Sequence, residues 1–212
     1  MVSIFTLENP VKGCPLKNKK IGVFSGTFDP VHNGHIESCL VAKEACELDK
    51  IYVFIENKPY RKTSVTSLKH RHEILGLALA DYPSLSLTSL EVDNLDSENV
   101  KDSLSQQYKQ LEEIWYIIGS DIFLTMRQWK DFRNIARSFS LCVILRSNDK
   151  RSLVEEEAKK IIQDFSNLGI KILPAVWSGV SSSTVKDDLK NKGSSQQTPK
   201  KVIDYIRENN LY

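Results

Sequence analysis

The chain has 212 residues, of which 41% are hydrophobic and 26% are charged, which is the composition of a globular protein with one sizeable core. Its 29 basic and 27 acidic residues give a net charge of only +2. The protein therefore lacks the strong overall positive charge that would attract a nucleic acid or an anionic membrane. No apolar run approaches the ~20 residues of a membrane span, and the N-terminal residues lack the pattern of a secretory signal peptide. We therefore expect a cytoplasmic protein that binds neither nucleic acid nor membrane.

The four cysteines, Cys14, Cys39, Cys46 and Cys142, form neither a CxxC pair nor a tight group with histidines. A chain of this length needs no disulfide framework, so we expect reduced thiols and no metal bound by the protein itself. Cys39 and Cys46 lie seven residues apart. That spacing places them on one face of a helix and predicts small buried core residues.

The predicted elements alternate between strands and helices. After an irregular leader at 1–19, apolar runs of strand length occur at 21–24, 51–55, 85–92, 115–118, 141–145 and 170–173. Helical spacing occurs between them, at 36–48, at 68–80 behind Ser67, at 100–113 and at 153–168 behind Ser152. Beyond Pro174 we expect a serine-rich turn, a short helix to Asn191, a polar hinge at 193–197 and a last helix capped by Thr198.

Most of the strand runs are apolar throughout, which is typical of strands covered on both faces. The alternation predicts a doubly wound parallel sheet with right-handed crossovers, in a single Rossmann-like α/β domain over 20–212. Its last part, 174–212, would be a small C-terminal helical segment. In such sheets ligands bind beyond the carboxyl ends of the strands, near the point where the strand order reverses.

The segment after the first strand reads Ser25-Gly-Thr-Phe-Asp-Pro-Val-His-Asn-Gly-His35. A turn between a buried strand and a helix gathers backbone N–H groups and the positive helix end at one place, which predicts a phosphate site. His32 and His35 lie three residues apart, so both imidazoles can reach one phosphate from the first helical turn. Such donors suit phosphoryl or nucleotidyl transfer, in which charge develops on the phosphate oxygens.

The residues of this segment alone leave a transferase, a synthetase and a binding protein open. Neither a GxGxxG fingerprint nor a Walker GxxxxGK[ST] loop occurs, so hydride transfer and P-loop hydrolysis lack sequence support. The structural alternative is a helix cap and a surface histidine. The position of the pair directly after an apolar strand, close to Gly26 and Gly34, favours a functional role.

The same segment resembles the GGTFDPxHxGH signature of bacterial nicotinate-mononucleotide adenylyltransferases, in the nucleotidyltransferase superfamily that carries HxGH. Ile117-Ile-Gly-Ser-Asp-Ile-Phe-Leu-Thr-Met-Arg-Gln-Trp129 resembles the family's IIGxDxLLTxxxW segment. The stretch 180–193 is similar to its ISSTxIRxxLxxG segment. The resemblance runs from about Lys20 to Gly193 and implies the nucleotidyltransferase fold.

The resemblance also implies roles for individual residues. The catalytic residues would be His32 and His35, which would stabilise the charged transition state. ATP and phosphate binding would fall to Ser25, Gly26, Thr27, Phe28, Gly34, Arg61, Ser182, Ser183, Thr184 and Lys186. Nucleotide or acceptor binding would fall to Gly119, Asp121, Trp129 and Arg146. By chemistry, a carboxylate after a buried strand can accept from a ribose hydroxyl, and a tryptophan can stack on a planar ring.

The chain departs from the family pattern near its cations. Counting forward from the SST at 182–184 places the family's arginine at Asp187, whereas counting back from Leu189 places it at Lys186. A lysine there would replace the forked guanidinium by a point charge. The family's P-P-H-[KR] loop reads Lys58-Pro-Tyr-Arg61 and loses the histidine. Arg71 matches an arginine of the following helix, for which a solvated surface position is the alternative.

The largest departure concerns the acceptor. Where the family reads SYTxxTL, this chain reads Glu98-Asn-Val-Lys-Asp-Ser-Leu104, so that Asn99 and Val100 replace the tyrosine and the first threonine. The acceptor is therefore the part of the function that the resemblance defines least.

Together, the residues and the resemblance predict an adenylyltransferase that joins ATP to nicotinate mononucleotide, giving nicotinate adenine dinucleotide and pyrophosphate on the route to NAD. Mg²⁺ would arrive on the ATP phosphates, without metal ligands from the protein. One alternative keeps the chemistry and changes the acceptor to nicotinamide mononucleotide, phosphopantetheine or a CTP-dependent alcohol phosphate. Another is a nucleotide-binding regulatory protein that has lost catalysis. The sequence leaves the oligomeric state open, a homo-oligomer included.

Overall fold

The computed structural model describes residues 19–57, 65–92, 97–146, 150–176 and 179–212. Its six strands are β1 (Lys19–Gly26), β2 (Lys50–Glu56), β3 (Leu85–Val92), β4 (Leu111–Gly119), β5 (Ser140–Ile144) and β6 (Ile170–Leu173). They form one sheet in the order β3-β2-β1-β4-β5-β6, and every neighbouring pair is parallel. The predicted doubly wound parallel sheet is confirmed, and each predicted strand overlaps an observed one.

The strand order reverses between β1 and β4. Val23 of β1 faces Tyr52 on one side and Tyr116 of β4 on the other, so β1 lies at the centre of the sheet. The chain moves outward from β1 through β2 to β3 and then returns to lay β4 against the free side of β1. The carboxyl ends of β1 and β4 are therefore neighbours with diverging connections, which opens a crevice for a ligand.

Eight α-helices occur in the described part of the chain, together with a 3₁₀ turn at Met126–Gln128. They are α1 (Asn33–Ala45), α2 (Leu68–Leu79), α3 (Ser97–Gln107), α4 (Ser120–Phe123), α5 (Phe132–Ser138), α6 (Arg151–Asp164), α7 (Ser182–Lys192) and α8 (Lys200–Glu208). Ser67 caps α2 as predicted, because its Oγ accepts from the His70 N–H at 3.4 Å.

Several predicted helix boundaries are wrong. The helix predicted at 100–113 ends at Gln107, because Leu111 already belongs to β4. The cap of α6 is Lys150, which precedes the predicted Ser152. Thr198 donates its hydroxyl to the Val31 carbonyl at 2.7 Å instead of capping α8.

The sheet divides the core into two apolar layers. One layer packs β1, β4 and β5 against α3, α5 and α6, and the other packs the sheet against α1, α2 and α8. Cys39, Cys46 and Cys142 are free and buried, and the first two lie in the core as predicted. The leader before Lys19, with Cys14, lies outside the described residues. None of the described helices is both long enough and apolar enough to cross a membrane.

Candidate active site

The candidate site lies at the carboxyl ends of β1, β4 and β5. A cavity there is lined by His32, Gly34 and His35 at the start of α1, by Gly119 at the end of β4 and by Arg146 after β5. Each of these residues was predicted from the sequence to belong to the site. The structure brings all five together around the crevice that the strand order creates.

The turn that precedes the histidines, residues 27–31, is called the signature turn below. Its Phe28 is 2% exposed and has a φ of 49°, a left-handed conformation that costs a phenylalanine of order 1 kcal/mol or more. The Phe28 ring packs edge-on against Phe24 at 5.6 Å and against His35 at 5.0 Å. Gly26 allows this packing, because a Cβ there would lie 3.1 Å from the Phe28 ring. Such a strained backbone persists only where its surroundings hold it.

The two histidines stack on each other at the start of α1. Their ring centroids lie 3.6 Å apart and their planes are inclined by 23°. His35 Nδ1 accepts from the backbone N–H of His32 at 3.1 Å, so the neutral His35 ring carries its proton on Nε2. His32 is 4% exposed, and its Nδ1 is buried without a hydrogen-bond partner among the described residues. A buried polar atom of this kind beside a cavity marks a place for a ligand.

Burial lowers the pKa of His32 to about 4, and the positive charge of Arg146 lowers it further in the same direction. The imidazole is therefore uncharged at neutral pH. A neutral imidazole still donates one hydrogen bond, so His32 can bind an anion without carrying a charge.

The cation of the site, Arg146, is held by the segment after β4. Its Nε lies 3.3 Å from Asp121 Oδ1, and its backbone N–H donates to Ser120 Oγ at 2.8 Å. Gly119 permits this arrangement, because a Cβ at this position would overlap the Asp121 carboxylate and approach the guanidinium. Arg146 and Asp121 are both about half exposed, so the pair is open to a ligand.

The serine-rich turn begins α7 and contacts the signature turn. Ser181 is the N-cap, and its Oγ accepts from the Thr184 N–H at 3.1 Å. The Ser182 hydroxyl donates to the Pro30 carbonyl at 2.9 Å, and the Thr184 hydroxyl donates to the Ser181 carbonyl at 2.8 Å. Ser183 is exposed at the helix start. Of the three predicted hydroxyls, Ser182 and Thr184 thus hold the fold, and Ser183 faces solvent.

The cap position favours one of the two alignments of this segment. With Ser181 as the cap, residues 181–183 take the places of the family's SST, with Ser183 in place of the threonine, and Lys186 takes the place of its arginine. The alignment that starts at Ser182 would put a carboxylate, Asp187, at that place.

Lys186 contacts the signature turn through a buried carboxylate. Its Nζ lies 2.6 Å from Oδ2 of Asp29, a residue that is 3% exposed. The Tyr212 hydroxyl and the Thr66 N–H donate to Asp29 Oδ1 at 2.7 Å and 3.2 Å. Burial raises the pKa of Asp29, but these hydrogen bonds outweigh burial and hold the pKa below its ordinary value. Asp29 is therefore a paired, ionised group at neutral pH.

Arg71 is a buried clamp, which corrects its predicted alternative as a solvated surface residue. It is 1% exposed and makes four hydrogen bonds to carbonyl groups. Its Nε donates to Thr66 at 2.9 Å, and Nη1 donates to Thr27 at 2.9 Å and to Glu56 at 2.8 Å. Nη2 reaches the Asn57 carbonyl at 3.3 Å. Arg71 therefore joins the signature turn to the end of β2.

Several predicted site residues do not line the cavity; two of them lie on one face of the sheet, and one lies outside the described residues. The Ser25 hydroxyl lies 2.9 Å from the Tyr116 hydroxyl, on the face of the sheet that carries α3 and α5. Trp129 is partly buried against the apolar layer of that face. Arg61 lies outside the described residues. Val100, at the place of the family's threonine, is 2% exposed in the same layer.

Two contributors to the site were not identified from the sequence. Asp29 gave a weak signal, because a carboxylate between Phe28 and Pro30 in an apolar stretch needs a partner once it is buried. Tyr212 gave none, because it lies 183 residues from Asp29 along the chain.

This strand order, with a stacked histidine pair at the point of reversal, defines an α/β protein of the nucleotidyltransferase type. The chain belongs to the cytidylyltransferase-like family, whose sequence model matches residues 23–188. The matched range contains both histidines, Asp121, Arg146 and Lys186.

Similar curated proteins carry a narrower name. A probable nicotinate-nucleotide adenylyltransferase of Neisseria meningitidis is 29% identical over 92% of this chain and 98% of its own length. One from Clostridium botulinum is 27% identical with the same coverage. Among solved structures, Plasmodium falciparum nicotinic acid mononucleotide adenylyltransferase complexed with NaAD superimposes with a TM-score of 0.71 at 19% identity. That superposition covers 92% of this chain and 98% of the Plasmodium chain, and it confirms the fold.

Proposed function

We propose that this protein transfers the adenylyl group of ATP to nicotinate mononucleotide, forming nicotinate adenine dinucleotide and pyrophosphate. The observation that carries the proposal is the stacked pair of His32 and His35 beside Arg146, with the buried Nδ1 of His32 unpartnered within the described chain. The names of the similar curated proteins support the acceptor.

In the proposed reaction, a phosphate oxygen of the acceptor attacks the α-phosphorus of ATP, in line with the bridging oxygen to the β-phosphate. The new O–P bond forms while the bond from the α-phosphorus to that bridging oxygen breaks, and pyrophosphate leaves with the electron pair. No bond to the protein forms. His32 and His35 donate hydrogen bonds to the phosphate oxygens as charge develops, and Arg146 adds a fixed positive charge.

The other polar groups are assigned by their positions. Ser183 and the backbone N–H groups at the start of α7 would bind the outer phosphates, with Gly34 at the start of α1 allowing close approach. Asp121 would accept from a ribose hydroxyl or a base N–H. Trp129, on the face of α3 and α5, would stack on a planar ring of the acceptor.

Mg²⁺ would be carried into the site by ATP, and it would offset the phosphate charge and polarise the α-phosphate. The carboxylates near the site are compatible with a Mg²⁺ ion that is held by the ATP phosphates. Asp29 is paired with Lys186 and Asp121 with Arg146, so neither carboxylate needs a cation. A cytoplasmic location, with access to ATP, belongs to the same proposal.

A panel of acceptors tests the function. Purified protein is given Mg²⁺ and either ATP or CTP, with nicotinate mononucleotide, nicotinamide mononucleotide or phosphopantetheine, and pyrophosphate release is measured. We expect ATP with nicotinate mononucleotide to give the highest kcat/KM. A higher value with CTP or with another acceptor would replace the proposed substrate pair. If none of the acceptors gives pyrophosphate release while ATP raises the melting temperature, the protein is a nucleotide-binding regulatory protein instead.

A further inference from the structure

Tyr212 connects the end of α8 to the signature turn. After α8 the chain folds back, with the Leu211 N–H donating to the Ile206 carbonyl at 3.0 Å. The Tyr212 hydroxyl then donates to Asp29 Oδ1 at 2.7 Å, and the Lys186 ammonium lies 4.7 Å from the centre of the Tyr212 ring. One side chain therefore contacts both members of an ion pair whose carboxylate is buried.

The signature turn needs such contacts, because Phe28 holds a left-handed backbone that is unfavourable by itself. Its carbonyl groups are held from elsewhere in the fold. Arg71 donates to Thr27, and Ser182 donates to Pro30.

Thr198 donates to the Val31 carbonyl in the same way. Asp29 is the side-chain anchor of this arrangement, and His32 follows it by only three residues. A change in the hydrogen bonds of Asp29 therefore acts on the backbone that carries the histidines.

We propose that Tyr212 is a positioning residue for the reaction, which fixes the catalytic pair through Asp29 and the signature turn. The inference rests on the proposed function. With the Tyr212 hydroxyl in place, Asp29 accepts from Lys186 on one oxygen and from Tyr212 and Thr66 on the other, which determines its orientation. Without that hydroxyl, Oδ1 keeps the weaker and longer bond to Thr66.

The test variant is Tyr212→Phe, which keeps the ring over Lys186 and removes only the hydroxyl. We expect kcat to fall about tenfold, because small displacements of catalytic groups are costly. KM for ATP and for the acceptor should stay within about twofold, since Tyr212 binds neither. The matched control is Tyr205→Phe in the preceding helix α8, which removes a hydroxyl that lies 2.9 Å from Nδ1 of His70 in α2. It should leave kcat unchanged.

A double-mutant cycle separates positioning from a general loss of stability. Once Asp29→Ala has removed the carboxylate that accepts from Tyr212, Tyr212→Phe should lower kcat by less than twofold further, because both changes break the same connection. A full tenfold additional loss would overturn the route through Asp29. An unchanged kcat in the single Tyr212→Phe variant would overturn the proposal itself.

A readout without turnover keeps this inference distinct from the proposed function. Amide hydrogen exchange of peptides covering residues 25–38 should be faster in Tyr212→Phe than in Tyr205→Phe. If the wild-type protein releases no pyrophosphate with any acceptor, the proposed function fails. Faster exchange in Tyr212→Phe would still support the tether, which is the connection from Tyr212 through Asp29 to the signature turn. Equal exchange in the two variants would overturn the tether whether or not the enzyme is active.

Discussion

His32 combines a buried imidazole with a nearby guanidinium, and both keep it uncharged. At 4% exposure, its protonated form would lose most of its hydration, and Arg146 would repel it. The gain is a donor whose protonation state is the same throughout the neutral range. In acid, however, the His32 imidazole takes up a proton, and this charged form is destabilised in the folded protein.

Acidification should therefore reduce stability through His32. Its pKa is about 4 in the folded protein and 6.5 in the unfolded chain. Between these values the unfolded state binds more protons, so the free energy of unfolding falls as the pH drops from 7 towards 4. The loss at pH 5 relative to pH 7 is about 2 kcal/mol, which urea unfolding at the two pH values measures.

A His32→Gln variant is the control, because glutamine is polar but does not titrate. Its unfolding free energy should change by about 2 kcal/mol less than that of the wild type between pH 7 and pH 5. Asp29 does not interfere, because its pKa is lowered from 3.8, so its stabilising contribution is lost only in more acidic solution. The same pH dependence in both proteins would show that His32 is not buried in its neutral form.

At the scale of the elements, one side chain of α2, Arg71, adds hydrogen bonds from this helix to the centre of the sheet. Arg71, in the first turn of α2, donates to the carbonyls of Thr27 after β1 and of Glu56 in β2. Arg71 is 1% exposed, and it stabilises the fold by donating hydrogen bonds to several buried carbonyl groups at once. A buried arginine without these partners would be strongly destabilising.

Arg71→Met should lower the free energy of unfolding by about 3 kcal/mol or more, because methionine fills part of the space but leaves the carbonyls without donors. The matched control is Arg127→Met. Arg127 pairs with Glu157 and Asp164 while its side chain remains 42% exposed, so its loss should cost at most about 1 kcal/mol. Equal losses in urea unfolding would show that the Arg71 hydrogen bonds add nothing beyond a surface pair.

The elements also show which parts of the fold can be predicted from the sequence. The strands were predicted because most of them are contiguous apolar runs, which indicate burial on both faces directly. Helix ends were less accurate, because helical spacing continues through Tyr108 into Leu111, where β4 begins. Thr198 was expected to cap α8, but its hydroxyl is used by Val31, a contact that no local pattern contains. The short helices α4 and α5 were not predicted, since they span too few residues to show a period.

Contacts between distant parts of the chain also limit what could be predicted of the site. His32 and His35 belong to one contiguous segment, so their shared location follows from the sequence. The partners of Asp29 come from distant parts of the chain, at Thr66, Lys186 and Tyr212. Only the fold brings them to one carboxylate.

At the scale of the whole molecule, the parallel sheet places the reacting groups and the 181–212 segment holds them. Strand reversal at β1 and β4 opens the crevice, and α1 presents the histidines to it. The 181–212 segment then contacts successive residues of the signature turn, through Ser182, Lys186, Thr198 and Tyr212. Catalysis should therefore depend on residues from both ends of the described chain.

The most direct test of the role of the histidine pair is the steady-state rate of pyrophosphate release from Mg²⁺-ATP and nicotinate mononucleotide, compared among the wild type, His35→Ala and His72→Ala. His72 is an exposed histidine of α2 and serves as the matched control. We expect His35→Ala to lower kcat at least about 10²-fold while remaining folded, since one donor to the developing charge is lost. His72→Ala should keep the wild-type rate. A His35→Ala protein that turns over as fast as the wild type would contradict transition-state stabilisation by this pair.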